Sequence, residues 1–429
     1  MGDALVQDLI SDLPESIIES ILTRLPIRDA VRTSILSSKW RYKWASITQL
    51  VFDDRCVTLR SDRALVEKSL IDFITKALFL HKGPIHKFQL STWYLQNCSD
   101  IDQWLLFLSR NDIKELVLVL EEEEGEGELF RVPASLFHCK KLTRLDLFRC
   151  ELDPPLTFKG FSYLNSLTLH QVLVAPDVIE SLISGCPLLE NLAISYFDSL
   201  ALNIKAPNLK FLFLEGEFKD IKLENTPLLV AMSVDMYMTE DNAEHFEQSS
   251  SCNFVKFLGG VPLLEKLIGR VYFTKYLSIG YDLGKLLVTY EHLKVIELNQ
   301  VCFEDRKEIY VVLRLIMSSP NLTELQISGP TNAVDFVIAL EASDLKFWEK
   351  EGLSKYSFEK LKLVRMTCMS GVPHEMEFIK FLLSRSPVLE TMSVAPCSLC
   401  TIARRLNMLT EMVKFRRASP QAEIVFTHE

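Results

Sequence analysis

One apolar pattern returns along most of this chain and restricts its fold more than any single motif. The pattern is L-x-x-L-x-L with aliphatic substitutions. It can be read at Ile85/Phe88/Leu90, Ile113/Leu116/Leu118, Leu142/Leu145/Leu147 and Leu164/Leu167/Leu169. It continues at Leu189/Leu192/Ile194, Leu209/Leu212/Leu214, Leu229/Met232/Val234 and, incompletely, Leu264/Leu267. Four further copies are Leu293/Ile296/Leu298, Leu322/Leu325/Ile327, Leu361/Val364/Met366 and Leu389/Met392/Val394. Positions two apart on a strand share a face, so each copy reads as a short strand with its aliphatic residues turned inward. Proline-led turns precede several copies, as at Cys186-Pro187, Ala206-Pro207, Thr226-Pro227 and Ser319-Pro320. One unit cannot bury its own apolar face, whereas stacked units share a continuous core.

The copies begin 20 to 39 residues apart, mostly near the 20–29-residue period of leucine-rich repeats. The predicted fold is therefore α/β, an irregular leucine-rich-repeat solenoid over 51–345 with a parallel sheet on its concave side. Helical stretches at 178–183 and 309–317 lie between copies. The copies at Leu209 and Leu229 leave no room for a full helix, so their convex side is expected to be mostly loop. The longer intervals 234–264 and 327–361 can hold insertions. The polar stretch 235–253 reads as an exposed loop or helix.

A different pattern precedes the repeats at residues 12–44, DLPESIIESILTRLPIRDAVRTSILSSKWRYKW. Asp12 followed by Glu15 suits a helix start, and Pro14 costs little in a first turn, where its missing amide would have no intrahelical partner. Ile17, Ile18, Ile21, Leu22 and Leu25 recur at helical spacing, and Pro26 stops that helix. Asp29 lies at the start of a second helix carrying Ala30, Val31 and Ile35. Ser37 or Ser38 can cap a third that includes Trp40 and Trp44. A unit of about 40 residues normally needs disulfides, a metal or a partner. This one has no cysteine and no histidine. Its apolar side chains exceed what three short helices can enclose, so the rest of the chain or another protein should cover some of them.

The order Leu13-Pro14, helix, Leu25-Pro26, Asp29-Ala30-Val31, then Ser37-Ser38-Lys39-Trp40-Arg41 and Trp44 resembles an F-box, with bounds near 8–50. In particular it resembles plant F-box proteins that carry leucine-rich repeats and a C-terminal FBD segment. Trp348-Glu349-Lys350-Glu351, the run 358–364, the runs 377–383 and 386–390, and 414–420 with a strand at 422–426 are similar to an FBD segment. Read directly, this end is strand, helix, strand, helix, strand, and 346–429 would close the array as a cap. The resemblance implies that the F-box docks on a Skp-type adaptor, and through it on a cullin. Leu13, Pro14, Ile17, Ile18, Leu22, Leu25 and Pro26, with Val31 and Trp40, would supply the apolar contacts or hold the helices in place. It further implies a substrate-recognition subunit of a Skp-cullin-F-box ubiquitin ligase, with the repeats holding a target protein. A repeat scaffold that recruits no ligase is the alternative.

The remaining residues narrow the function. A formal net charge of −10 argues against a general binder of nucleic acid or anionic membranes. No apolar run is long enough to span a bilayer. The acidic N-terminus without a hydrophobic signal core, and ten cysteines read as reduced thiols, point to the cytoplasm and/or nucleus. Cys397 and Cys400 form a C-x-x-C with no second pair and no nearby histidine, so no metal site is expected. No H-E-x-x-H, G-x-S-x-G, P-loop or G-x-G-x-x-G occurs. No cofactor and no catalytic role are expected. The acidic run 121–128 reads as a solvated loop, and Arg404, Arg405, Lys414, Arg416 and Arg417 as a solvated or paired basic cluster.

Overall fold

The computed structural model describes residues 10, 13–57, 62–95, 98–120, 129–237, 253–279, 289–330, 348 and 356–427. The chain divides into two compact units, Met1–Phe197 and Asp198–Glu429.

The first unit opens with helices α1 (Glu15–Leu22) and α2 (Ile27–Arg32). Strand β1 (Gln49–Asp53), helix α3 (Arg63–Leu80), strand β2 (Lys87–Thr92), helix α4 (Asp100–Arg110) and strand β3 (Glu115–Leu120) follow. Next come β4 (Phe130–Arg131), β5 (Arg144–Phe148), β6 (Cys150–Glu151), β7 (Ser166–His170), helix α5 (Pro176–Ser184) and β8 (Asn191–Lys205), inside which the unit ends. Strands β1, β2, β3, β5, β7 and β8 pair in parallel in that order, and β4 pairs with β6 apart from them. Pattern positions meet across the ladder. Leu50, Phe88, Leu116, Leu145, Leu167 and Leu192 form one row, and Phe52, Leu90, Leu118, Leu147, Leu169 and Ile194 another. All twelve side chains are buried.

The second unit repeats this logic. It holds β9 (Phe211–Glu224), β10 (Ala231–Tyr237), helix α6 (Asn253–Leu258), β11 (Lys266–Gly269), helix α7 (Phe273–Ser278), β12 (Val295–Leu298), helix α8 (Arg306–Met317) and β13 (Glu324–Ser328). β14 (Leu363–Met369), helix α9 (Pro373–Arg385), β15 (Thr391–Pro396), helix α10 (Ile402–Lys414) and β16 (Glu423–Phe426) complete it. Strands β9 to β16 pair in parallel in chain order, aligning Leu212, Met232, Leu267, Ile296, Leu325, Val364, Met392 and Ile424. Parallel strands in chain order, joined by crossing segments on one side, are the architecture of a leucine-rich-repeat solenoid. Each buried aliphatic in these rows contributes roughly 1.5–3 kcal/mol.

Several sequence expectations can be placed. The strand, helix, strand, helix, strand order after residue 360 is observed. Ile47, Leu50 and Phe52 make one more copy of the pattern, ahead of the first copy read from sequence, and all three are buried. The incomplete copy at Leu264/Leu267 has Gly269 in its third place. A Cβ there would lie 2.1 Å from the Phe273 ring, which fills the space a leucine takes elsewhere. The convex side expected to be loop after Leu209 is instead extended, since β9 runs 14 residues. Phe218, Ile221 and Leu223 bury themselves along it. The third helix expected around Trp40 is replaced by tight turns. 3-10 segments at Thr33–Ile35 and Lys43–Ser46 flank it, and Trp40 N–H donates to Ser37 O at 3.2 Å, an i to i−3 bond. Of the polar stretch 235–253, residues 235–237 finish β10 and Asn253 opens α6. The rest of it, and the acidic run 121–128, lie outside the described residues.

Candidate functional site: the N-terminal helical segment

Helix α1 begins at Pro14, whose carbonyl accepts from Ile17 and Ile18 N–H at 3.0 and 3.1 Å. Asp12, expected to help cap it, lies outside the described residues. Lys43 pairs with Glu15, and that hydrogen bond holds the Glu15 carboxyl below its usual range. Lys39 Nζ donates to Leu13 O at 3.4 Å and the Trp40 indole N–H to Ile10 O at 3.2 Å. These bonds tie α1 to the turn that follows α2. Helix α2 packs against β1 and the 54–56 turn, burying Ile27 and Ala30, and Arg28 Nη1 donates to Arg55 O at 3.4 Å.

The segment is also fastened to the first repeat. Lys82 N–H donates to Ala45 O at 2.8 Å, and His81 Nε2 lies 2.8 Å from Ile47 O. The Lys82 ammonium sits 5.2 Å from the centre of the Tyr42 ring. Part of its apolar surplus is therefore covered by its own chain.

The structure sorts the residues singled out from sequence into three groups. Ile18, Leu22 and Trp40 are buried and hold the segment together. Leu13, Leu25, Pro26 and Val31 are half-buried. Pro14 is exposed, as is Ile17 at 46%. Four exposed aliphatics of the segment were absent from that set: Ile10, Ile21, Ile35 at 85% and Leu36. Ile21 follows Ile17 by one helical turn, a signal present in the sequence. Ile35, expected on the second helix, lies instead in the 3-10 segment that follows α2, with Leu36 just after it.

Comparison with known proteins agrees with this layout. A family model for the F-box domain matches residues 10–49, and one for FBD matches 359–394. A model described as "FBD-associated F-box protein At5g56370, LRR repeats" matches residues 101–327. The F-box/FBD/LRR-repeat protein At1g13570 of Arabidopsis thaliana is 61% identical over 391 residues, 91% of each chain. The chain belongs to the F-box/FBD/LRR-repeat family. More distant relatives from the same plant include the probable FBD-associated F-box protein At1g32375, 22% identical over 90% of this chain and 92% of its own. The FBD-associated F-box protein At5g56370 is 23% identical over the same shares.

For a member of this family, F-box and repeat domains support a substrate-adaptor role, and no enzymatic family is indicated. The two buried carboxylates with raised pKa serve structure. Burial pushes Glu308 up to about 7, and it accepts from Thr274 Oγ1 at 2.6 Å and Cys302 N–H at 3.2 Å. Burial pushes Glu375 to about 7, and it accepts the Gly371 and Val372 N–H groups at the start of α9. Among the described residues, no cluster of three His, Cys, Asp or Glu could hold a metal, and no helix is long and apolar enough to cross a membrane. The C-x-x-C lies in the turn before α10, where Arg405 donates to the carbonyls of Cys397, Ser398 and Cys400.

In the first unit a ring cluster forms where β5 and β7 end, beside residue 196 within β8. The His170 ring lies between those of Phe148 and Tyr196, tilted against the first and edge-on to the second, with centroids 5.1 and 4.6 Å away, and its Nδ1 lies 2.8 Å from Ser195 Oγ.

Proposed function

We propose that this protein is the substrate-recognition subunit of a Skp-cullin-F-box ubiquitin ligase. The observation that carries the reading is the split face of α1. Ile18 and Leu22 are spent on the fold, while Pro14, Ile17 and Ile21 face solvent on a segment already anchored to the repeats. Such a face suits an apolar groove on a Skp-type adaptor, and a cullin would join through that adaptor. Leu13, Leu25, Pro26 and Val31 would border the contact, and Trp40 would support it from behind. The repeats would hold the target, with the Phe148, His170 and Tyr196 rings as one contact surface. The chain would act by proximity and orientation, and ubiquitin transfer would belong to other subunits.

A pull-down with a Skp-type adaptor tests this. Wild type should be retained, and Leu13→Ala with Pro14→Ala should lose most retention. Equal retention by both would remove the ligase reading and leave a repeat scaffold.

A further inference from the structure

Helix α10 is amphipathic twice over. On one face Met408 and Met412 are buried, and Met408 enters a space open only because residue 371 is glycine. A Cβ on Gly371 would lie 2.6 Å from Met408 Cγ. The Thr401 side chain caps the helix start by accepting from Arg404 N–H, and Arg405 ties that end to three carbonyls. These contacts seat the helix without help from its other apolar residues.

Those others form a second stripe. Ile402, Leu406, Leu409 and Val413 are 85%, 60%, 36% and 68% exposed. Their spacing of four, three and four residues places them within roughly 60° of one another around the helix, over about three turns. Leu399, just before the helix, is exposed as well. Scattered surface leucines need no explanation, but a contiguous aliphatic stripe on a soluble surface marks a contact. None of the three matched family segments reaches residue 402.

Charge selects the occupant. Arg405 borders the stripe near its start, and the exposed Lys414 and Arg416 lie at its end. Glu411, the helix's one acidic residue, projects from the opposite side. A second copy fits poorly. Antiparallel self-pairing would bring Arg405 of one copy towards Lys414 and Arg416 of the other, and parallel pairing would set like against like.

We infer that α10 is a second docking surface, for an amphipathic helix of another protein that carries acidic residues beside its apolar face. Recognition is helix against helix, with the four aliphatics as anchors and the basic end setting direction.

Fluorescence anisotropy with the full-length chain reads this directly. The probes are labelled amphipathic peptides of about 20 residues, with Leu or Ile at helical spacing flanked by Glu or Asp, and a matched panel with Lys in place of each acid. Acidic peptides should bind at least about tenfold tighter than basic ones, and Leu406→Glu with Val413→Glu should weaken them by about tenfold or more. Leu406→Gln with Val413→Gln is the milder variant, and unchanged circular dichroism and thermal midpoint verify its fold. No binding by any acidic peptide, a preference for the basic panel, or equal binding by wild type and both variants would overturn the proposal. So would a concentration-dependent dimer that the same substitutions dissolve. Ile17→Asp should leave peptide binding intact, which separates this surface from the adaptor contact.

Discussion

Helices α1 and α8 make opposite use of the same apolar chemistry. In α8, Ile309, Val311, Val312, Leu313, Leu315 and Ile316 are all buried, because the helix lies over the sheet of a stacked array. In α1 the aliphatics split, with Ile18 and Leu22 inside and Ile17 and Ile21 outside. The array supplies neighbours for each repeat, whereas among the described residues the N-terminal segment is fastened to the first repeat and keeps Ile17 and Ile21 exposed. A stability screen should therefore be sensitive to α8 and largely blind to the outer face of α1.

The largest expected effect is in the array. Leu315→Ala should cost about 2–5 kcal/mol in urea unfolding, from lost burial and the cavity left behind, while Ile17→Ala should stay within about 0.5 kcal/mol. Equal costs would break the comparison. A middling effect is expected where α10 is seated. Gly371 has φ +72° and meets Met408, so Gly371→Ala should lower stability by about 1–3 kcal/mol through strain and the displaced methionine.

Stability should also depend on pH, more through the buried carboxylates of the array than through the exposed Glu15 of α1. Glu308 and Glu375 have folded pKa values of about 7, above the unfolded 4.5. Their stabilising contribution is fully present below pH 4.5 and is lost as pH rises through about 7, because the unfolded chain ionises first. Arg404 beside Glu375, and Lys275 opposed by Asp305 beside Glu308, moderate the shift. Glu375→Gln should flatten part of that slope in denaturation midpoints measured across the range. The smallest effect is expected at the exposed Glu15–Lys43 pair. Lys43→Ala should leave the thermal midpoint nearly unchanged, with any difference vanishing in high salt.

Most of the array was legible because its rule is short and periodic. The second and third positions of each complete copy land on the parallel ladder of their own unit, the first positions sit in the turn before the strand, and at Gly269 the missing leucine is replaced by Phe273 from the next helix. The Ile47, Leu50, Phe52 copy obeys the same rule, and it straddles the boundary expected between the helical segment and the repeats. The extended run of β9 was missed because a short interval excludes a helix without choosing between loop and strand. In the N-terminal segment, Ile17, Ile18, Ile21, Leu22 and Leu25 occupy an arc of about 140° on a helical wheel. Spacing alone gives the arc. Which edge turns inward is decided by the 43–46 turn packed against α1, and by bonds such as Trp40 to Ile10.

The central claim is that the outer face of α1 is kept for an adaptor. Its most direct test is the affinity of a purified Skp-type adaptor for Ile17→Asp with Ile21→Asp, measured by calorimetry beside the thermal midpoint. Binding should weaken by about a hundredfold or more with the midpoint unchanged. Wild-type affinity in that double variant would contradict the account.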